Sequence, residues 1–244
     1  METKLDILVI AAHPDDAELM CSGTIAKHVA QGHKVGVLDL TRGELGTRGT
    51  IHTRREEAEN SAKILGLSVR ENAEFEDGFF VNDKQHQLEL IKFIRKFQPD
   101  MVICNPNEDR HPDHGRAAKL VIDSCFLSGL RKVETIDRGV EQKEWRPKHI
   151  YQFIQNDYIQ PDFVVDITEY WELKLASIRA FSTQFFTGGN DLEDEPETFI
   201  SNPGFMEFIE ARAKEYGHQI GVKYGEGFTT VKRTIGVDLL TDLI

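Results

Sequence analysis

A short run rich in Ile, Leu and Val at residues 5–12, followed by a helical pattern over 17–31 that stops at Gly32, is the feature that most limits how this chain can fold. The unit recurs. Residues 35–40 read as a second strand, and 54–65 as a helix with Ala58, Ala62 and Leu65 on one face and charges on the other, closed by Gly66. Residues 88–97 are amphipathic, 100–104 make a short strand, and 115–127 another helix. Parallel neighbours need crossover connections of one hand, which place helices on both faces of the sheet. The expected fold class is therefore α/β, a Rossmann-like, mostly parallel sheet flanked by helices. Strands at 150–154 and 163–167 and helices at 169–181 and 205–216 extend it. No repeat or low-complexity linker divides the 244 residues, so a single domain over 1–244 is expected. Residues 184–203 mix aromatics, a Gly188-Gly189 pair and an acidic run at 191–197, and read as a loop or lid.

Charge and cysteine content narrow the function. Asp and Glu number 41 against 29 Lys and Arg, a net charge of -12 that offers no long-range attraction to nucleic acid or anionic lipid. The expected partner is a small molecule, not nucleic acid or a membrane. The N-terminus has no basic segment, and its apolar run meets His13 too soon for a signal or a span, so a cytoplasmic location is expected. Cys21, Cys104 and Cys125 are an odd number without paired spacing, which predicts reduced thiols. Cys21 lies close behind the first strand, where a packed thiol is the expected state and a soft metal ligand the alternative.

Two polar clusters carry the chemistry. In open parallel sheets ligands bind beyond the carboxyl ends of the strands. Ala12-His13-Pro14-Asp15-Asp16-Ala17-Glu18 ends the first strand, and the loop holding His111-Pro112-Asp113-His114 follows the strand that ends at Cys104, so both belong to one edge. A nucleotide-binding turn would need a Gly-x-Gly-x-x-Gly run, and here His, Pro and two acids stand instead. Imidazole and carboxylate suit zinc, whose catalytic sites use three protein ligands and one open position. His13 and Asp16 can chelate from one turn, with His111 or His114 as third ligand and Asp15 as the free carboxylate that takes a proton from water. Helix capping is the competing reading for Asp15, Asp16 and Asp113.

These residues resemble the signature of the LmbE and PIG-L type N-acetylglucosaminyl deacetylases, which are zinc-dependent. Glu108-Asp109-Arg110 before the histidine motif, Asp39-Leu40-Thr41, Gly49-Thr50-Ile51 and residues 221–228 resemble the bacillithiol-biosynthesis members, so the likeness covers roughly residues 5–230. The resemblance implies one Zn2+ per chain on His13, Asp16 and His114, with Fe2+ or another divalent metal as the alternative, and Asp15 as general base. His111 is implied to stabilise the tetrahedral intermediate or protonate the departing amine, with Asp113 orienting it. Arg54 and Arg110 are implied to contact substrate. The implied reaction removes acetate from N-acetylglucosaminyl malate, or from another acetamidosugar or thiol conjugate, in a homo-oligomer; a non-catalytic metal- or sugar-binding module is the alternative of a different class. Phe205 stands where relatives can carry a tyrosine, and His218 has no counterpart and reads as structural.

Overall fold

The computed structural model describes residues 4–185, 196, 198–231 and 236. In chain order the elements are β1 (Ile7–Ala11), α1 (Asp16–Ala30), β2 (Val35–Thr41), α2 (Ile51–Leu65), β3 (Val69–Phe75), α3 (Lys84–Phe97), β4 (Met101–Cys104) and α4 (Pro112–Leu127). They continue with β5 (Ile136–Asp137), β6 (Val140–Glu141), β7 (His149–Phe153), β8 (Phe163–Asp166), a 3-10 turn at Thr168–Tyr170, α5 (Trp171–Arg179), α6 (Pro203–Gln219) and β9 (Gly225–Thr230).

Seven strands form one sheet in the order β3-β2-β1-β4-β7-β9-β8, and β5 and β6 make a separate small ribbon. The first five strands of that order are parallel, and β9 runs antiparallel between β7 and β8. The expected Rossmann-like α/β architecture is present. Alternation along β1 feeds two cores: Ile7, Val9 and Ala11 pack with α1, α2, α5 and α6, while Leu8, Ile10 and Ala12 pack with α3 and α4. Cys21 is buried in the first core and Cys104 and Cys125 in the second, all three as free thiols. No helix among the described residues is long and apolar enough to cross a membrane.

Two sheet strands lie where the sequence pattern showed none. β3 reads Val-Arg-Glu-Asn-Ala-Glu-Phe and sits half-buried at the sheet edge, which tolerates polar side chains on both faces. β9 begins Gly-Glu-Gly, poor strand formers, and is held by tertiary contacts. A side chain at Gly225 or Gly227 would clash with residues of α6, since an added Cβ would lie 2.9 Å from Gly217 N and from the Tyr216 ring respectively. Glu226 between them points into α1. Its carboxylate accepts from Gly23 N (3.0 Å) and Thr24 N (2.7 Å), while Lys174 Nζ donates to it (2.7 Å) and to Leu19 O (2.6 Å). A buried ion pair is thus inserted into the backbone ladder of the helix that begins at the metal-ligand motif.

Of the expected lid, residues 186–195 and 197 lie outside the described residues. Gln184, Phe199 and Ile200 line the cavity beside the histidines.

Candidate metal centre

The order of the sheet reverses between β1 and β4, because the chain leaves β1 towards β2 on one side and returns to β4 on the other. Loops at that switch point splay apart and leave a crevice beyond the strand ends. Ala12 N donates to Asn105 Oδ1 at 2.9 Å and ties the two loops together. Asp15 then takes φ 125°, a conformation that non-glycine residues rarely adopt and that marks local strain. It occupies the N-cap position of α1 but makes no capping bond; its Oδ2 instead accepts from Arg54 Nη2 at 2.6 Å. Capping therefore does not account for Asp15. At α4 the cap is His111, whose Nδ1 accepts from Asp113 N at 3.3 Å, with Pro112 in the first turn.

The histidines converge on Asp16. His13 Nδ1 lies 3.5 Å from Asp16 Oδ2, and His114 Nε2 lies 3.4 Å from Asp16 Oδ1. Their other ring nitrogens have carboxylate partners: His13 Nε2 meets Asp77 at 3.1 Å and Asp113 at 3.3 Å, and His114 Nδ1 meets Asp109 at 2.5 Å. Imidazoles that turn one nitrogen inward while a carboxylate holds the other are the arrangement of metal-ligating histidines. Ring nitrogens of His13, His111 and His114 also fall within 4.8 Å of one another. His111 differs from the other two in having a backbone N–H, and no carboxylate, behind it.

Electrostatics show that this cluster demands positive charge. Burial pushes the Asp16 carboxyl up, but His114 and His13 outweigh it and hold Asp16 well below the usual range. Burial disfavours charge on His13, yet Asp113, Asp16 and Asp77 raise its pKa well above that of a free imidazole. His114 rises to about 9, since Asp16 and Asp109 overcome its burial. Without a cation the acids draw protons onto both imidazoles, and a divalent metal would displace them. The donors of His13, Asp16 and His114, two imidazoles and a carboxylate, are of the kind a divalent metal takes. For Asp15, burial dominates and raises the carboxyl to about 7, against the pull of Arg54.

Several expected roles change on contact. Asp113 was expected to orient His111, but its carboxylate goes to His13 Nε2, to Gly78 N (2.8 Å) and to Arg116 Nη1 (2.8 Å). Geometry explains this: the Nδ1 of His111 is occupied by the backbone of the same helical turn. Arg54, expected to contact substrate, lines the cavity, and its guanidinium also meets Asp15, Pro14 O at 3.1 Å and Gly43 O at 3.4 Å. Arg110 is exposed at the cavity mouth and stacks on Phe199 with 4.5 Å to the ring centroid. Phe205 and Phe208 complete an aromatic wall on that side. His218 is exposed near the end of α6 and does not line the cavity.

Three residues of the site escaped the sequence reading, Asp77, Asn105 and Gln155, and Asp109 entered only within the Glu108-Asp109-Arg110 resemblance, without a role. Asp77 follows the unrecognised β3. Asn105 and Gln155 each closely follow a strand that was recognised, β4 and β7, and a polar residue at that edge was the available signal. Asp109 Oδ1 also accepts from Asn156 N and Asp157 N, both at 2.9 Å, so it joins the β4 and β7 loops behind His114. Asp109→Asn is expected to weaken metal affinity about 10- to 100-fold, as loss of a partner behind a ligating histidine does. Competition with a chelator measures it. Unchanged affinity would show that Asp109 only fastens the loops.

The crevice at the switch point gathers donors that suit a metal and, in Asp15, a carboxylate outside that donor set, the equipment of a metal-assisted hydrolase. The family described as PIG-L, GlcNAc-PI de-N-acetylase, matches residues 8–125. Diacetylchitobiose deacetylase of Thermococcus kodakarensis is 30% identical over 239 residues, covering 92% of this chain and 82% of that protein. The probable N-acetyl-alpha-D-glucosaminyl L-malate deacetylase 2 of Bacillus subtilis is 28% identical over 204 residues, covering 74% of this chain and 84% of its own. Among solved structures, the conserved protein TT1542 from Thermus thermophilus superposes with a TM-score of 0.84 at 33% identity, over 96% of this chain and 98% of that one. The chain belongs to the PIG-L family of de-N-acetylases. It is a hydrolase of N-acetyl amide bonds on N-acetylglucosamine-containing compounds.

Proposed function

We propose that the chain is a zinc-dependent deacetylase of N-acetylglucosaminyl malate, yielding acetate and glucosaminyl malate. The observation that carries the substrate is Arg110. Its guanidinium stands at the mouth of a cavity of about 380 Å³, stacked on Phe199, with no acidic partner among the described residues. Such a fork pairs with a carboxylate in bidentate fashion, and a malate aglycone presents two. The Bacillus subtilis relative, named for this substrate, supports the reading. The Thermococcus relative, named for a neutral disaccharide, supplies the competing one.

A divalent metal on His13, Asp16 and His114 supplies Lewis-acid polarisation of the amide carbonyl and lowers the pKa of water. Zinc suits these ligands, and Fe2+ can use the same set. Asp15, close to its ligands yet engaged only by Arg54, accepts the proton of the attacking water and returns it to the departing amine. His111 accepts a backbone N–H at Nδ1, which places its own proton on Nε2. Burial lowers its pKa and favours the neutral ring. A neutral Nε2–H in the cavity donates to the oxygen of the tetrahedral intermediate; of the two roles open to His111, this is the one its tautomer fits.

Acetate release from N-acetylglucosaminyl malate, diacetylchitobiose and N-acetylglucosamine tests the substrate. The malate compound should have the highest kcat/KM. Arg110→Ala should reduce kcat/KM for it by about 10- to 100-fold, the loss of a charge-assisted bond of about 1.5–3 kcal/mol, and leave the neutral sugars unaffected. A higher kcat/KM on diacetylchitobiose overturns the malate assignment.

A further inference from the structure

We propose that Gln155 is a further catalytic residue, whose side-chain Nε2 donates a hydrogen bond to the carbonyl oxygen of the scissile acetamide as negative charge develops on it. This rests on the deacetylase reading above. Gln155 follows β7, is buried, and lines the cavity beside His114 and Asp16.

The orientation of its amide is fixed by a relay that begins at a group with no choice. Ala12 N is a backbone donor, so the Asn105 atom 2.9 Å from it is the acceptor Oδ1. The other end of that amide is therefore Nδ2, which donates to Asp16 Oδ2 at 3.1 Å and to Gln155 at 3.0 Å. The Gln155 atom facing Asn105 must then be Oε1, and its Nε2 faces the metal donors. One N–H goes to Asp16 Oδ1 at 2.5 Å, and the second points at His114 Nε2, 3.3 Å away. The backbone is anchored as well, since Arg212 donates to the carbonyl oxygens of Gln155 and Asn156. A rotated amide would set Oε1 against the Asp16 carboxylate and leave Asn105 Nδ2 without its second acceptor.

In the neutral ring, with Nδ1–H on Asp109, the lone pair of His114 Nε2 is the one a metal would take. Once it is taken, the second N–H of Gln155 has lost its acceptor, and a buried donor left unpaired is unfavourable. Oxygen of a substrate bound beside His114 can restore the bond. A donor already aimed, and held by three other hydrogen-bonding groups, needs no reorganisation as the oxyanion forms.

Gln155→Met tests this: it keeps the length of the side chain and removes the donor. With zinc saturating, kcat should fall about 10²- to 10³-fold, the usual effect of removing one such donor. KM should stay close to the parent; zinc affinity, from chelator competition, is expected to fall up to about 10- to 100-fold with loss of the bond to Asp16, and excess zinc should not restore kcat. Gln155→Leu is likewise without a donor, so it should show the same loss of kcat and covers the case in which the Met variant does not fold; thermal melting reports folding for both. The inference is overturned if kcat is retained, or if zinc affinity falls in step and excess zinc restores kcat, since Gln155 would then only hold Asp16. A parent enzyme that releases no acetate from any acetamidosugar overturns the deacetylase reading itself and this inference with it.

Discussion

Asp15→Asn is expected to lower kcat/KM for acetate release by about 10²- to 10⁴-fold, the range for loss of a positioned general base, while the chain still binds its metal. Asn has the same shape and shares with Asp a tolerance for positive φ, so the turn that carries His13 and Asp16 should persist. What disappears is the carboxylate of the Asp15-Asp16 pair whose partner is a cation and not a histidine. The pH profile gives a second readout. Burial raises the Asp15 carboxyl to about 7, and Arg54 pulls it down. Below its pKa the carboxyl is protonated and cannot accept a proton, so kcat/KM should fall about tenfold per pH unit on the acid side. Arg54→Met removes the opposing cation, and the acid limb should move to higher pH. A bound divalent cation acts in the same direction as Arg54, which puts the parent limb at or below neutrality. An Asp15→Asn enzyme with near-parental turnover would place the base elsewhere.

Glu226→Ala should destabilise the fold by about 3–5 kcal/mol, the cost of leaving a buried charge without its partner. Lys174 would keep its charge with only the carbonyls of Glu18 and Leu19 to meet it, and Gly23 N and Thr24 N would lose their acceptor. The double variant Lys174→Met with Glu226→Ala should recover part of the loss. Leu19 O and Gly23 N, now held by Lys174 and Glu226, are an ordinary i to i+4 helical pair and can bond each other once both side chains are gone. Denaturant unfolding of the two single variants and the double measures this coupling. A single Glu226→Ala variant as stable as the parent would contradict the role given to the pair.

The alternation of strands and helices was legible because β1, β2 and β4 are continuous apolar runs and α1 to α4 end at recognisable stops or begin at capping groups. β9 was not, because Gly225-Glu226-Gly227 was chosen for what it touches: the glycines admit α6, and the acid reaches α1. At the site, His13, Asp15, Asp16, His111 and His114 were visible as clusters at two strand ends. Their partners were harder to see. Asp113 lies in the motif, but which histidine it holds depends on the backbone bond that closes Nδ1 of His111. Asp77 and Gln155 come from two further strand ends, and nothing in local pattern tells a polar residue at such an edge from one facing solvent. Arg54 entered only through the resemblance, as a substrate contact, and only folding shows its guanidinium bound to Asp15.

Zinc titration into metal-free protein, with acetate release from N-acetylglucosaminyl malate followed at each addition, tests the central claim most directly. Activity should be absent without metal and rise to a plateau at one zinc per chain, with Asp16→Ala failing to bind or to respond. Full activity of the metal-free protein, or no zinc bound at all, would contradict it.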